Sequence, residues 1–329
     1  MSFNKIPLRS IIQKYENKGF RLSLFMEKSG LSHILKRGGI IGGGFARQLV
    51  LGLDIAAYLG INFDSYRVSN TKPGDIDVFF QTRAVYNRAV AYYNNMINNE
   101  INCRKHSFDL YDVKLSANSP VLVCAASDSL SGFCKNISLV TSPQFLMSNV
   151  KPNPYHHNKE VKIQLVGEFL GDVKAISETY DLTNVKAFIS GDYLVYHDRL
   201  LELESAKVIE ISNENSPLLA QRVQKYLTHR GLDSLTCEST KSFTKWICRA
   251  RAGEWNNHPL GSLFDDKSVP LSYVRNLINR SSVVSTNSLS LLIGKFIEQR
   301  CISRRRYMPS TYKTVDIALE EYSIRNNQI

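Results

Sequence analysis

Two acidic residues, Asp75 and Asp77, interrupt an apolar run in the stretch GDIDVFF (residues 74–80). β-branched and aromatic residues that follow a Pro-Gly turn are typical of a β-strand. Side chains alternate across a strand, so both carboxylates project from the same face and lie close together. They repel each other, and burying them is costly unless a cation binds between them. The stretch therefore predicts a strand that binds a hard divalent metal such as Mg²⁺.

A glycine-rich turn precedes this strand, in the stretch GGIIGGGFARQLVLGLD (residues 38–54). The isoleucines before the turn predict a short buried strand, and the apolar spacing after it predicts a helix. Backbone amides at such a helix start can bind the triphosphate of a nucleotide. A Walker loop is excluded because Phe45-Ala46-Arg47 replaces its Gly-Lys-Ser/Thr ending, and a dinucleotide fingerprint is disfavoured because Arg47 and Gln48 replace its third small residue.

Together the two stretches resemble the signature of the DNA polymerase beta-like nucleotidyltransferase superfamily. That signature is a Gly-Gly or Gly-Ser turn, a helix, and then a strand that reads hydrophobic-Asp-hydrophobic-Asp-hydrophobic. Versions with GG-x-x-R and DID-hydrophobic-F are typical of compact members, including those of viruses and phages. The resemblance covers residues 38–190. It implies an α+β fold, with a short mixed sheet flanked by helices and a mainly helical C-terminal part.

The resemblance also implies roles for individual residues. Asp75 and Asp77 are expected to hold two catalytic Mg²⁺ or Mn²⁺ ions. Gly43 and Gly44 are expected to contact the phosphates of an NTP, with Gly42 as the alternative member of the pair. Arg47, on the first turn of the helix, is a candidate for the triphosphate, and a surface ion pair is its other interpretation.

Members of the superfamily usually carry a third carboxylate on a neighbouring strand. Asp181 is the favoured candidate, because it begins a stretch predicted to form a strand beside GDIDVFF. Asp109 and Asp112 are the rivals, because they follow the motif strand sooner. The third carboxylate is expected to complete the metal site or to act as a base.

The pattern along the chain predicts three parts. Residues 1–37 are expected to be a helical segment, residues 38–191 the nucleotidyltransferase core, and residues 192–329 a mainly helical region. No leader-like apolar run is present at the N-terminus, and nowhere do enough apolar residues follow one another to span a membrane. The sequence therefore predicts a protein that is not secreted and acts in the cytoplasm, which is the host cytoplasm for a viral protein.

The balance of charge predicts a polyanionic partner. Lys and Arg number 41 against 30 Asp and Glu, which gives a formal net charge of +11. Near the C-terminus, Arg304, Arg305 and Arg306 stand beside Tyr307 and Tyr312, a combination suited to a nucleic-acid backbone with stacked bases. A solvated helix face is the alternative interpretation.

The predicted function is the transfer of NMP from an NTP to a hydroxyl acceptor, with release of pyrophosphate. The charge favours an RNA or other nucleic-acid end as the acceptor, and a protein hydroxyl or a small molecule stays open. The alternative function is that of a catalytically inactive relative which binds nucleic acid or supports an assembly. A nicotinamide-binding enzyme is disfavoured.

Overall fold

The computed structural model describes residues 2–61, 73–99, 113–128, 134–148, 158–216 and 218–251. Strands and helices alternate along the first two thirds of this part, and helices dominate the rest. In chain order the elements are β1 (Phe3–Pro7), α1 (Leu8–Asn17), α2 (Leu22–Lys28), α3 (Leu31–Lys36), β2 (Gly39–Gly42), α4 (Gly44–Leu51), α5 (Ile55–Tyr58), β3 (Ile76–Phe80), α6 (Arg83–Asn99), β4 (Val121–Asp128), β5 (Cys134–Thr141), α7 (Pro143–Leu146), β6 (Lys159–Leu170), α8 (Val173–Glu178), a 3₁₀ turn (Thr183–Val185), β7 (Ala187–Ser190), β8 (Tyr193–His197), α9 (Leu200–Ser205), β9 (Val208–Ile209), α10 (Leu219–His229), β10 (Ser234–Leu235) and α11 (Cys237–Arg251).

Eight strands form one mixed sheet in the order β1-β8-β7-β2-β3-β6-β5-β4. The β3–β6 pair is parallel, and the other pairs in this sheet are antiparallel. The α+β class with a mixed sheet is therefore confirmed, but the expectation of a short sheet is wrong. Strand β1 extends one edge and the β4–β5 hairpin extends the other. Strand β1 is five residues long and pairs with a strand near residue 195, so the local sequence pattern does not predict it.

The alternation along β3 decides which face of the sheet is the core. Ile76, Val78 and Phe80 are fully buried and belong to the main apolar cluster. Helix α6 packs on β3, β4 and β6, and its buried residues Ala89 and Tyr93 belong to that same cluster. The intervening positions of β3 therefore project from the opposite face.

The chain divides into two compact units. The first comprises Met1–Tyr180 and Asn184–Leu201, and it holds the eight-stranded sheet; the second comprises Asp181–Thr183 and Glu202–Ile329. Within the described part of the second unit, α10 and α11 accompany a two-stranded sheet of β9 and β10. The division into three parts at residues 37 and 191 stays a prediction, separate from these two structural units. In the part of the chain that the structure describes, no helix combines the length and the apolar character that crossing a membrane requires.

Candidate active site

The acid pair lies at the start of β3. Asp75 immediately precedes the strand and is exposed, and Asp77 lies within it and is partly exposed. Ile76 between them is fully buried, as is Val78 after them. This alternation puts both acids on the face of the sheet away from α6, where carboxylates remain in reach of water and ions.

Asp77 lies directly against the glycine turn. In the antiparallel pairing of β2 with β3, Gly42 is opposite Asp77. A Cβ atom added to Gly43 would lie 3.2 Å from Oδ2 of Asp77. The structure thus brings together the two stretches that the sequence motifs single out, and a carboxylate oxygen of Asp77 approaches the turn that precedes α4.

The backbone of the turn explains why position 43 needs glycine. Gly43 has φ +71° and ψ −139°, a combination that other residues adopt only under strain. Its N–H donates to the carbonyl oxygen of Ala187 at 3.0 Å, so this amide is engaged within the sheet. The N–H groups that suit phosphate are instead those of the first turn of α4, from Gly44 onward, because the first N–H groups of a helix have no intrahelical partners.

Two tyrosines occupy the space that the glycines leave. A Cβ atom on Gly42 would lie 2.8 Å from the hydroxyl oxygen of Tyr180, and one on Gly44 would overlap the hydroxyl of Tyr58. The sequence argument took the bare glycines as room for phosphate oxygens. The structure gives a different reason at these two positions, since buried aromatic side chains of the protein pack against the backbone there.

Arg47 lies inside the first unit and is 1% exposed. Its N–H donates to the carbonyl oxygen of Gly43 at 2.9 Å, as the helical pattern requires. The interpretation of Arg47 as half of a surface ion pair is therefore wrong. A role of its guanidinium toward the triphosphate stays a prediction.

Asp181 belongs to the second unit and is fully buried. Its Oδ1 accepts a hydrogen bond from Nη1 of Arg222 at 2.9 Å, and its main-chain oxygen accepts from the amide of Ser212 at 2.8 Å. Its Oδ2 is also buried, and it has no hydrogen-bond partner among the residues that the structure describes. The nearby strand β7 pairs with β2 and β8, so the expectation that this strand lies beside GDIDVFF is wrong. Asp181 as a third metal ligand stays a prediction.

On the side of β3 away from β2, the neighbouring strand β6 carries an amide where a carboxylate was expected. Gln164 on β6 is opposite Asp77 in the parallel pairing, and its Nε2 donates to Oδ1 of Asn136 on β5 at 3.3 Å. Sequence analysis missed both residues, as well as Tyr58 and Tyr180. Their alternation in β6 and β5 is visible in the sequence, but the register that aligns them with Asp77 is not.

Several other candidates, namely Asp109, Asp112, Arg304, Arg305 and Arg306, lie outside the described residues. Their predicted roles stay predictions.

The donor set at β3 fits one kind of metal site. Among the described residues, no group of three or more His, Cys, Asp or Glu side chains converges as a metal site. Mg²⁺ commonly uses one or two protein carboxylates and completes its shell with water and substrate phosphates. Asp75 and Asp77 therefore fit a metal that arrives with a nucleotide, rather than a resident ion in a closed cage.

Comparison with solved structures finds distant likenesses. A tRNA-processing enzyme with CTP is 12% identical, with a TM-score of 0.38 over 79% of this chain and 54% of that one. An apo CCA-adding enzyme is 11% identical, with a TM-score of 0.44 over 94% and 64%. The Thermotoga maritima CCA-adding enzyme complexed with tRNA is also 11% identical, with a TM-score of 0.41 over 97% and 66%. The chain thus spans about half to two thirds of the length of these proteins.

The fold and site define an α+β protein with an acid pair against a glycine turn. Residues 5–207, more than half of the chain, match the profile of the family described as Gabija anti-defense 2 family protein. The chain belongs to this family. No curated protein matches it.

Proposed function

We propose that this protein is a metal-dependent nucleotidyltransferase, which moves NMP from an NTP to a hydroxyl acceptor and releases pyrophosphate. One observation carries the proposal: Oδ2 of Asp77 lies against the glycine turn at the start of α4, with Asp75 on the same face of the sheet. A metal-binding pair and a helix N-terminus suited to phosphate are then adjacent, as transfer at a phosphorus atom requires.

Each group of residues at the site has a separate role in the proposed reaction. Asp75 and Asp77 hold Mg²⁺ or Mn²⁺, two ions per site, and the first turn of α4 orients the triphosphate through its amides. When bound there, the metal would neutralise phosphate charge and lower the pKa of the acceptor hydroxyl. The acceptor hydroxyl gives up its proton to water as its oxygen attacks the α-phosphorus in line; the bond from the α-phosphorus to the bridging oxygen breaks, and pyrophosphate leaves. Placement of the reactants supplies much of the acceleration. Asp181 is proposed as the third carboxylate.

The acceptor is proposed to be an RNA end, with a protein hydroxyl as the alternative. The net charge of +11 supports a polyanion. The family's description links it to countering a defence called Gabija. We therefore propose that the acceptor, once it carries the transferred NMP, affects that defence.

A second candidate function, that of a non-catalytic binding module, is favoured by one observation. Tyr58 and Tyr180 fill space beside Gly44 and Gly42 that a nucleotide would otherwise approach. This candidate predicts salt-dependent binding of RNA without Mg²⁺-dependent binding of NTP.

The test supplies each α-³²P-labelled NTP with Mg²⁺ or Mn²⁺, total RNA and total protein. We expect label in RNA with the wild type, and a loss of at least about 100-fold in Asp77→Asn, because the amide no longer attracts the cation. Asp192→Asn is the matched control, since Asp192 is an exposed acid in the turn between β7 and β8. Both variants should melt like the wild type.

Each result decides between the candidates. Label that persists in Asp77→Asn refutes the assignment of the metal site. Label in protein rather than RNA refutes the choice of acceptor. If the wild type transfers nothing and binds RNA alone, the non-catalytic function replaces the proposed one.

A further inference from the structure

Tyr58 joins the two halves of the candidate site. Its side chain is 5% exposed and lies between Gly44, the first residue of α4, and Gly74, which precedes the acid pair. A Cβ atom added to either glycine would overlap the phenol of Tyr58. Both backbones therefore approach the ring more closely than a residue with a side chain permits.

Two hydrogen bonds fix the backbone at the acid pair relative to Tyr58. The hydroxyl of Tyr58 donates to the main-chain oxygen of Asp75 at 3.0 Å. The main-chain oxygen of Tyr58 accepts from the N–H of Gly74 at 2.7 Å. Tyr58 thus holds Gly74, the residue before the acid pair, with its backbone, and Asp75, the first acid, with its side chain.

The helix that carries Tyr58 is itself anchored. α5 is a single turn, and the side chain of Asp54 caps it by accepting from the N–H of Ala57 at 3.0 Å. The ring of Tyr58 packs on that of Phe45 in α4, with centroids 6.5 Å apart. A rigid aromatic side chain therefore sets the spacing between the start of α4 and Asp75.

We propose that Tyr58 is a positioning residue, which holds the metal-binding Asp75 at a fixed place relative to the phosphate-binding turn of α4. This inference rests on the proposed function. A metal shared by a carboxylate and a phosphate tolerates little misplacement of either, so the hydroxyl of Tyr58 acts through Asp75 rather than on the substrate.

The test replaces Tyr58 by phenylalanine, which keeps the ring and removes the hydroxyl. We expect the affinity for Mn²⁺, measured by electron paramagnetic resonance with a non-hydrolysable NTP analogue, to fall about 5- to 10-fold, the equivalent of one hydrogen bond. We also expect kcat to fall while the KM for NTP changes less, because the amides of α4 are untouched.

Tyr93→Phe is the matched control. The hydroxyl of Tyr93 donates to the main-chain oxygen of Ser29 at 3.0 Å, and Tyr93 is likewise buried in the first unit. The proposal assigns the hydroxyl of Tyr93 no role toward the acid pair, so Tyr93→Phe should lower stability without changing the affinity for Mn²⁺.

The outcomes separate this inference from the function on which it rests. If the wild type binds neither Mn²⁺ nor NTP, the proposed function fails. If the wild type binds both and Tyr58→Phe binds Mn²⁺ as tightly as Tyr93→Phe does, the positioning role is refuted and the function stands. Should Tyr58→Phe fail to fold, Gly74→Ala provides the same measurement, because its methyl group pushes the ring away from Asp75. Unchanged affinity in that variant also overturns the inference.

Discussion

Asp181 and Asp75 differ in burial, so we expect their replacement by asparagine to have different effects on the stability of the fold. Asp75 is exposed, so Asp75→Asn should leave the fold as stable as before. Asp181 is fully buried and bonded to Arg222, and Asp181→Asn removes the carboxylate that pairs with the guanidinium, which leaves only a weaker bond to an amide oxygen. We expect Asp181→Asn to lower the free energy of unfolding by about 1–3 kcal/mol.

Urea unfolding checks this expectation, and the Asp181→Asn, Arg222→Gln double variant is its control. Because the side chain of Arg222 is 42% exposed, water can rehydrate it. The loss in the double variant should therefore be smaller than the sum of the single losses. Equal stability of Asp181→Asn and the wild type would remove the structural role of the pair and leave catalysis as the reason for this acid.

At the scale of single elements, α5 depends on one cap. Asp54→Ala removes the acceptor for the N–H of Ala57, so we expect the unfolding free energy to fall by about 1 kcal/mol. The loosened turn carries Tyr58, so the affinity for Mn²⁺ should fall in the same direction as in Tyr58→Phe. Asp54→Asn keeps an acceptor oxygen and removes the charge. If Asp54→Asn loses as much stability as Asp54→Ala, charge rather than capping explains the effect.

Local patterns predicted the elements of the site, but not their neighbours. The alternation of apolar and acidic residues predicts strand β3, and three successive glycines predict the turn before α4. Both signals extend over only a few residues of the sequence. Strand β6 lies beside β3 in parallel, although α6 and the β4–β5 hairpin intervene in the chain. Its register depends on packing of the apolar face, so the position of Gln164 beside Asp77 was beyond local reasoning. The tyrosines that fill the glycine turn were missed for the same reason.

At the scale of the whole molecule, the family match and the first unit nearly coincide. The profile covers residues 5–207, and the first unit extends to Leu201 apart from Asp181–Thr183. The acid pair, the glycine turn and Tyr58 all lie within this part. The basic residues Arg304–Arg306 lie beyond the match, so the proposed RNA contact and the proposed chemistry belong to different parts of the chain.

The response of the whole fold to alkaline pH follows from two buried tyrosines. Burial raises the pKa of Tyr93 well above its usual value of about 10, and burial together with the charge of Asp54 raises the pKa of Tyr15. A pKa raised in the folded state gives stability that is present below pH 10 and lost as the pH rises above it, since only the unfolded chain then releases the proton. Each tyrosine should lower the unfolding free energy by about 1.4 kcal/mol per pH unit above pH 10.

Urea unfolding of the wild type and Tyr93→Phe between pH 8 and pH 11 tests this linkage. At pH 8 we expect the wild type to be more stable, by about 1 kcal/mol, because the hydroxyl of Tyr93 is bonded to Ser29. Above pH 10 the variant has no phenol to ionise at this position, so its stability should fall less steeply and the difference should shrink or reverse. Lysine titration affects both proteins equally and cancels. Parallel curves across this range would show that the phenol of Tyr93 ionises as readily in the folded protein as in the unfolded chain, and would contradict this prediction.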